Sequence, residues 1–173
     1  CSSSGSRPPA LLTWWKSGEQ LVSTKEHQVQ EGVSTSSSVI IFTPRVEDNG
    51  LVLSCRAENP FIPGSAIEEG WKLDVFYKPR VTLRLGQNLK EHDIREGRDV
   101  YLECHVDASP PATEVTWLFE DREVTTNMSA GVIVSNQSLV LQKVRKSRRG
   151  RYTCVAVNRE GHGASNTFAL RIK

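Results

Sequence analysis

One spacing occurs twice in this 173-residue chain: Cys1 is followed thirteen positions on by Trp14 and later by Cys55, and Cys104 thirteen positions on by Trp117 and later by Cys154. Two cysteines about fifty residues apart, with a tryptophan one short strand after the first, suit a two-sheet sandwich. Each sheet supplies one sulfur, and the indole packs on the bridge. Four cysteines allow three connectivities, and spacing alone does not choose among them. The repeat does, because each Cys, Trp, Cys unit is complete within its own half, which gives Cys1 with Cys55 and Cys104 with Cys154. A zinc site would require closely spaced ligand pairs such as C-x2-C, which the sequence lacks. Disulfides persist in oxidising compartments, so the chain is expected outside the cell. Closing each loop is worth about 4 kcal/mol in the chain-entropy model.

The expected fold class is therefore all-β: two tandem immunoglobulin-like β-sandwich domains, residues 1–77 and 78–173, each with an inter-sheet disulfide. Cys1 is expected near the end of strand B, so strand A and most of B of the first domain are absent and the chain reads as an interior piece of a longer ectodomain. In the first domain strand C is expected at Leu11 to Trp15 and strand E at Val39 to Phe42 after a serine-rich turn. Strand F is expected from Leu51 to Ala57 and strand G from Trp71 to Tyr77. In the second domain the expected strands are Val81 to Leu85, Val100 to Cys104, Val115 to Trp117, Leu139 to Leu141, Tyr152 to Ala156 and Asn166 to Ile172. Lys78-Pro79 forms a two-residue linker stiffened by proline, which implies a rigid pair. Trp14, Trp117 and Tyr152 are core positions, Tyr152 standing where a tyrosine corner would bond the backbone. The matching position in the first domain is Leu53.

Charge is unevenly placed. Residues 1–77 carry six Lys/Arg against nine Asp/Glu, and residues 78–173 sixteen against eleven. Any polyanion would therefore prefer the second domain. Lys143, Arg145, Lys146, Arg148, Arg149 and Arg151 crowd the expected turn between strands E and F. They are either a solvated basic loop or an anion site for heparan sulfate or acidic headgroups. Nucleic acid is the poorer ligand, since no aromatic platform interleaves the run and the compartment is wrong. Alternation sends Trp15 to the outer face of its sheet, where with the apolar Phe61-Ile62 loop it is a candidate protein-binding patch, or else is covered by a neighbouring segment. The histidines His27, His92, His105 and His162 are scattered, and no nucleophile, base and orienting group cluster, so no enzyme is expected. Glu68-Glu69, Asp121 and Glu123 lack calcium-loop spacing. No cofactor or metal is implied.

Several runs are more specific than a sandwich pattern. They are Cys1-Ser2-Ser3-Ser4-Gly5-Ser6-Arg7-Pro8-Pro9-Ala10 leading into Thr13-Trp14-Trp15-Lys16, then Glu47-Asp48-Asn49-Gly50 and Cys55-Arg56-Ala57-Glu58-Asn59-Pro60. They continue through Gly64-Ser65-Ala66-Ile67-Glu68, Trp71-Lys72-Leu73 and the stretch from Gly131-Val132-Ile133-Val134 to Gln142. In these the chain resembles the Sidestep family of arthropod neuronal cell-surface proteins. The resemblance implies an interior ectodomain segment, third and fourth domains in order, of a single-pass plasma-membrane receptor in axon guidance. It also implies partners of Beaten path type, engaged through membrane-distal domains rather than through residues of this segment. A soluble secreted immunoglobulin-type binding module, with the basic turn as its anion site, is the alternative from another class.

Asn127-Met128-Ser129 and Asn136-Gln137-Ser138 both satisfy the N-glycosylation rule, which reads as surface asparagine in a secreted chain. Glycosidase treatment of material from animal cells is expected to increase gel mobility. Unchanged mobility would overturn occupancy of Asn127 and Asn136.

Overall fold

In the computed structural model the backbone is described at every position except 23, 31 and 32, and the side chains at every position outside 23–33. Two compact units meet between Val75 and Phe76. Among the described residues the first unit holds strands β1 (Ser2–Ser4), β2 (Leu11–Lys16), β3 (Glu19–Leu21), β4 (Thr24–Gln30), β5 (Val33–Val39), β6 (Val52–Glu58) and β7 (Ile67–Lys72). They form two antiparallel sheets, β1-β5-β4 and β3-β2-β6-β7. The Cys1–Cys55 disulfide ties the two sheets together, and Trp14 stands opposite Cys55 in the register of β2 on β6. Strict alternation along these strands buries Leu12, Trp14, Leu53 and Cys55, the small core of this unit.

Two strands differ from the sequence reading. The serine-rich stretch is not a turn before strand E but is that strand, β5, and residues Ile40 to Phe42 follow it as irregular chain. Serine was read as turn material because its hydroxyl competes for backbone partners. Here alternate serines point inward, and the Trp14 indole N–H donates to the buried Ser38 hydroxyl at 3.0 Å. A small polar residue is thus satisfied inside the sandwich. The second difference is strand G, which is β7 rather than Trp71 to Tyr77. Trp71 does face the core side, edge-on to Trp14 with ring centroids 6.4 Å apart. Tyr77 instead pairs with Ser109 in the second unit.

The second unit contains β8 (Tyr77–Leu85), β9 (Val100–Ser109), β10 (Glu114–Phe119), β11 (Arg122–Val124), β12 (Val132–Val134), β13 (Ser138–Leu141), β14 (Gly150–Asn158), β15 (Gly161–Ala164) and β16 (Phe168–Leu170). Its sheets are β12-β13-β9-β8 and β11-β10-β14-β15, with β16 also pairing β14. The Cys104–Cys154 disulfide joins them, and the fully buried Trp117 lies opposite Cys154. Around it pack Leu102, Leu139, Leu141, Val144 and Leu170, a larger core than that of the first unit.

Lys78-Pro79, read as linker, lies inside β8. Proline has no N–H to give the ladder, and the register slips between Tyr77 and Arg80 to accommodate it. A Cβ on Gly163 would meet the Pro79 carbonyl oxygen at 1.9 Å, so glycine is what lets β15 lie close to β8. Strand G, expected over Asn166 to Ile172, is the shorter β16, and a further strand, β15, lies before it where no strand was expected. Between them the Asn166 side chain accepts from the Leu83 N–H at 2.8 Å and donates to the Leu83 carbonyl at 3.0 Å. One amide side chain there substitutes for a ladder pair and attaches the chain to the other sheet.

The same 3-10 turn precedes strand F in both units, Val46–Asp48 in the first and Lys146–Arg148 in the second. In the first, buried Asp48 accepts from the Arg45 N–H at 2.8 Å and pairs with Lys16 at 3.0 Å, while the Lys16 ammonium sits 5.5 Å from the Phe42 ring. The Arg45 N–H and then Lys16 hold the Asp48 carboxyl below its ordinary value. In the second unit Arg148 occupies the place of Asp48, and the turn is closed instead by the Tyr152 hydroxyl, which donates to the Arg148 carbonyl at 2.7 Å. Burial pushes the Tyr152 phenol well above its usual range, so it stays a donor, and its ring stacks on Phe119 at 4.7 Å.

Tyr152→Phe removes this bond and leaves the carbonyl short of a partner, so the second domain is expected to lose about 1–2 kcal/mol while the first melts unchanged, as read by calorimetry. The stability that Asp48 contributes is fully present above its unfolded-state value and disappears as pH falls through its lower folded value. The first domain should therefore melt progressively earlier in acid. Asp48→Asn should lower its melting temperature at neutral pH and flatten that part of the pH dependence.

Candidate interaction surfaces

Trp15 and the basic turn lie on different units, and each is positioned by the strands around it. Along β2, Leu11, Thr13 and Trp15 face away from the core because Leu12 and Trp14 face into it. Trp15 stands opposite Ser54 of β6, which is opposite Gly70 of β7. A Cβ on Gly70 would lie 2.8 Å from the Ser54 Cβ, so the sheet closes here only with small residues. The indole is left half-exposed beside low neighbours. Its N–H donates to the Thr13 hydroxyl at 2.9 Å, and it borders a shallow depression with Val52, Ser54, Arg56 and Glu68. Ser54 donates to Glu68 at 2.6 Å, which fixes the polar side of the depression.

Phe61 and Ile62 are both exposed, but in the β6–β7 loop. That loop starts beyond Glu58, four residues or about 13 Å along the strand from the partner of Trp15. Asn59 shapes it, accepting from the Phe61 N–H at 3.0 Å while its own N–H donates to the Ser65 hydroxyl at 3.1 Å. The depression beside Trp15 does not include Phe61 or Ile62.

The basic run wraps around one buried residue, Val144. Its N–H donates to the Arg98 carbonyl at 2.7 Å, and its carbonyl accepts from Gly97 at 2.8 Å. On either side, the Lys143 N–H donates to Asp99 at 2.8 Å and the Lys146 N–H to Glu96 at 3.1 Å. Lys143, Arg145, Lys146 and Arg149 are exposed, and Arg148 is partly buried. Arg151 stands apart from these. Its backbone N–H and guanidinium both engage Glu120, at 2.7 and 3.1 Å, and in that order they hold the Glu120 carboxyl below its usual range.

Lys143, Arg145 and Arg148 line a cleft of about 520 Å³, shared with Asp99 and the turn from Met128 to Gly131. Arg98 is exposed and accepts from the Val144 N–H through its carbonyl, but it borders a separate depression with Asn88, Leu89 and Lys90 rather than this cleft. No local pattern marks the cleft, because the register between the β8–β9 connection and the turn is a tertiary fact. Asn127 is exposed next to the cleft, its side-chain oxygen accepting from Ser129 Oγ at 2.7 Å and from the Ala130 N–H at 3.2 Å. Asn136 is exposed in the β12–β13 turn. His92, His105 and His162 are exposed and on separate elements, and the side chain of His27 lies outside the described residues. Among the described residues no group of His, Cys, Asp and Glu is arranged to hold a metal ion.

Residues 78–158 match the family model of an immunoglobulin domain, and residues 1–62 that of a CD80-like C2-set immunoglobulin domain. Both units are immunoglobulin-like domains. Over 96% of its length this immunoglobulin-like chain is 27% identical to human Cell adhesion molecule 1, of which it spans 36%. It is 29% identical over 93% of its length to Xenopus laevis Cell adhesion molecule 3, spanning 40% of that protein. It is also 34% identical over 93% of its length to mouse Hemicentin-1, of which it spans 3%. Among solved structures, the full Ig1–Ig3 ectodomain of mouse nectin-like molecule 4 matches with a TM-score of 0.76 and 25% identity, over 96% of this chain and 55% of that one. The two domains are thus of the kind found in cell adhesion molecules. The chain covers two-fifths or less of the length of these relatives. Among the described residues no helix is long and apolar enough to cross a membrane.

Proposed function

We propose that this chain is an interior segment of the ectodomain of a cell-surface adhesion receptor, serving as a spacer that carries a distal binding domain. The observation that supports this most is the likeness, along nearly the whole chain, to paired immunoglobulin domains within adhesion molecules and within an adhesion-type ectodomain. The finer reading is an axon-guidance receptor similar to the Sidestep family, anchored by a single membrane span and engaging Beaten path type partners through domains outside this segment. It rests on the double-tryptophan strand and the Gly131 to Gln142 run. On this reading the half-exposed Trp15 face is a secondary protein contact, supported by an aromatic side chain beside a shallow polar depression.

The decisive experiment presents this segment, and in parallel an ectodomain extending beyond it on the N-terminal side, as multivalent beads to a panel of extracellular immunoglobulin proteins that includes Beaten path types. The longer ectodomain is expected to capture a partner that the isolated segment does not. Capture of that partner by the segment alone at full strength, abolished by Trp15→Ser, would replace the spacer reading with a primary receptor site. Small-angle scattering is expected to give a narrow distribution of interdomain distances, and a broad one would remove the spacer role.

A further inference from the structure

We infer that the cleft at the β13–β14 turn of the second domain is a docking site for a sulfated glycosaminoglycan chain, held by Lys143, Arg145 and Arg148 of the turn. The argument starts from how the turn is closed. In the first domain the equivalent turn carries its own acid, Asp48, which is buried and ion-paired with Lys16. In the second, that position is Arg148, and closure comes from the neutral Tyr152 hydroxyl. Asp99 and Glu96 each bond a backbone N–H, of Lys143 and Lys146, while Glu120 pairs with Arg151, and Glu120 and Glu123 line a neighbouring pocket with Arg148. Against these four carboxylates stand Lys143, Arg145, Lys146, Arg148, Arg149 and Arg151, so the surface keeps a positive excess.

Concentrated fixed charge in a concave site attracts a polyanion more strongly than the same charge spread over a convex loop. Arginine, which supplies two of the three proposed contacts, presents a planar fork that matches oxyanion geometry. The cleft also holds the Gln142, Ser129 and Ser147 side chains, which can bond sugar hydroxyls. A lipid surface is the poorer occupant. Membrane-surface elements bury an apolar face, whereas the aliphatic residue of this turn, Val144, is already inside the core. The disulfides place the chain where sulfated polysaccharides occur. Asn127 stands at the rim, directly before the Met128 to Gly131 wall, so a glycan there would crowd the entrance.

The test uses the whole 173-residue chain after glycosidase treatment, bound to heparin and, in parallel, to phosphatidylserine vesicles, across a salt series. Lys143→Ala, Arg145→Ala and Arg148→Ala are each expected to weaken heparin binding about fivefold near physiological salt, and Lys146→Ala and Arg149→Ala, in the run but outside the cleft lining, less than twofold. Arg151→Ala, which removes a cation already paired with Glu120, is expected to change it less than twofold. Lys143 and Arg148 bond their neighbours through backbone groups, so alanine keeps those contacts. Where an alanine variant nonetheless melts early, the glutamine variant is read in its place. A loss from Lys146→Ala or Arg149→Ala as large as that from Arg145→Ala would overturn the cleft in favour of a linear basic run. Equal loss from Arg151 would show diffuse attraction, and vesicle binding as tight as heparin binding would reassign the site to a membrane. None of these outcomes bears on the spacer reading, which the bead screen decides separately.

Discussion

Each domain depends on a cystine clamped between two sheets with an indole against it. The disulfide fixes where the sheets approach, and the tryptophan fills the space that this approach creates. Once Cys55 and Trp14 face inward, period-two geometry dictates the facing of every other residue on β2 and β6, and Cys154 with Trp117 does the same for β14 and β10. What differs is how much apolar mass gathers around the clamp. The second domain surrounds it with leucine and valine from both sheets, whereas among its described residues the first has four buried apolar residues and adds buried polar groups. Ser38 accepts from Trp14, and Asp48 joins strand C to the turn before strand F. A lean core is workable only if each such group has a partner.

The two turns before strand F show one backbone shape closed by different chemistry. An ion pair under a phenylalanine ring closes the first, and a buried phenol closes the second. The exchange alters the surface as well as the interior. A turn that needs a carboxylate for its own closure is locally neutralised, while one closed by a tyrosine hydroxyl is free to be basic on every outward position. The positive charge of the second domain is therefore tied to the presence of Tyr152.

The disulfide pairing, the two-sheet class and the facing of strands C and F could be read from the sequence, because each follows from a repeated spacing and period-two alternation. The serine strand β5 could not. Its inward hydroxyls look like turn residues until their partner, an indole from another strand, is known. The ends of strand G were equally hidden. Tyr77 has the right alternation to finish β7 but is bound by β9, and Asn166 interrupts the last strand through a contact eighty-three residues away. The basic run was legible as charge. That Arg151 leaves the group depends on Glu120, and that Lys143, Arg145 and Arg148 line one cleft depends on the pairing at Val144, both non-local. Phe61 and Ile62 are exposed and Trp15 is partly buried, and strand rise keeps the indole well away from the loop.

Strand β7 ends its sheet, and its residues are exposed along their whole length. An open edge beside a chemically similar neighbour invites strand exchange, a particular hazard when sandwich domains are synthesised one after another on the same chain. Here Glu68, Glu69 and Lys72 stand along that edge, and Gly70 gives an incoming strand no side chain to pack against. With two copies fully overlapped in antiparallel register, Glu68 would face Trp71 and Glu69 would face Gly70, so neither carboxylate would meet Lys72. The strand that leaves the first domain's ladder unfinished thus also guards it, presenting unpaired charge and a gap to any incoming strand.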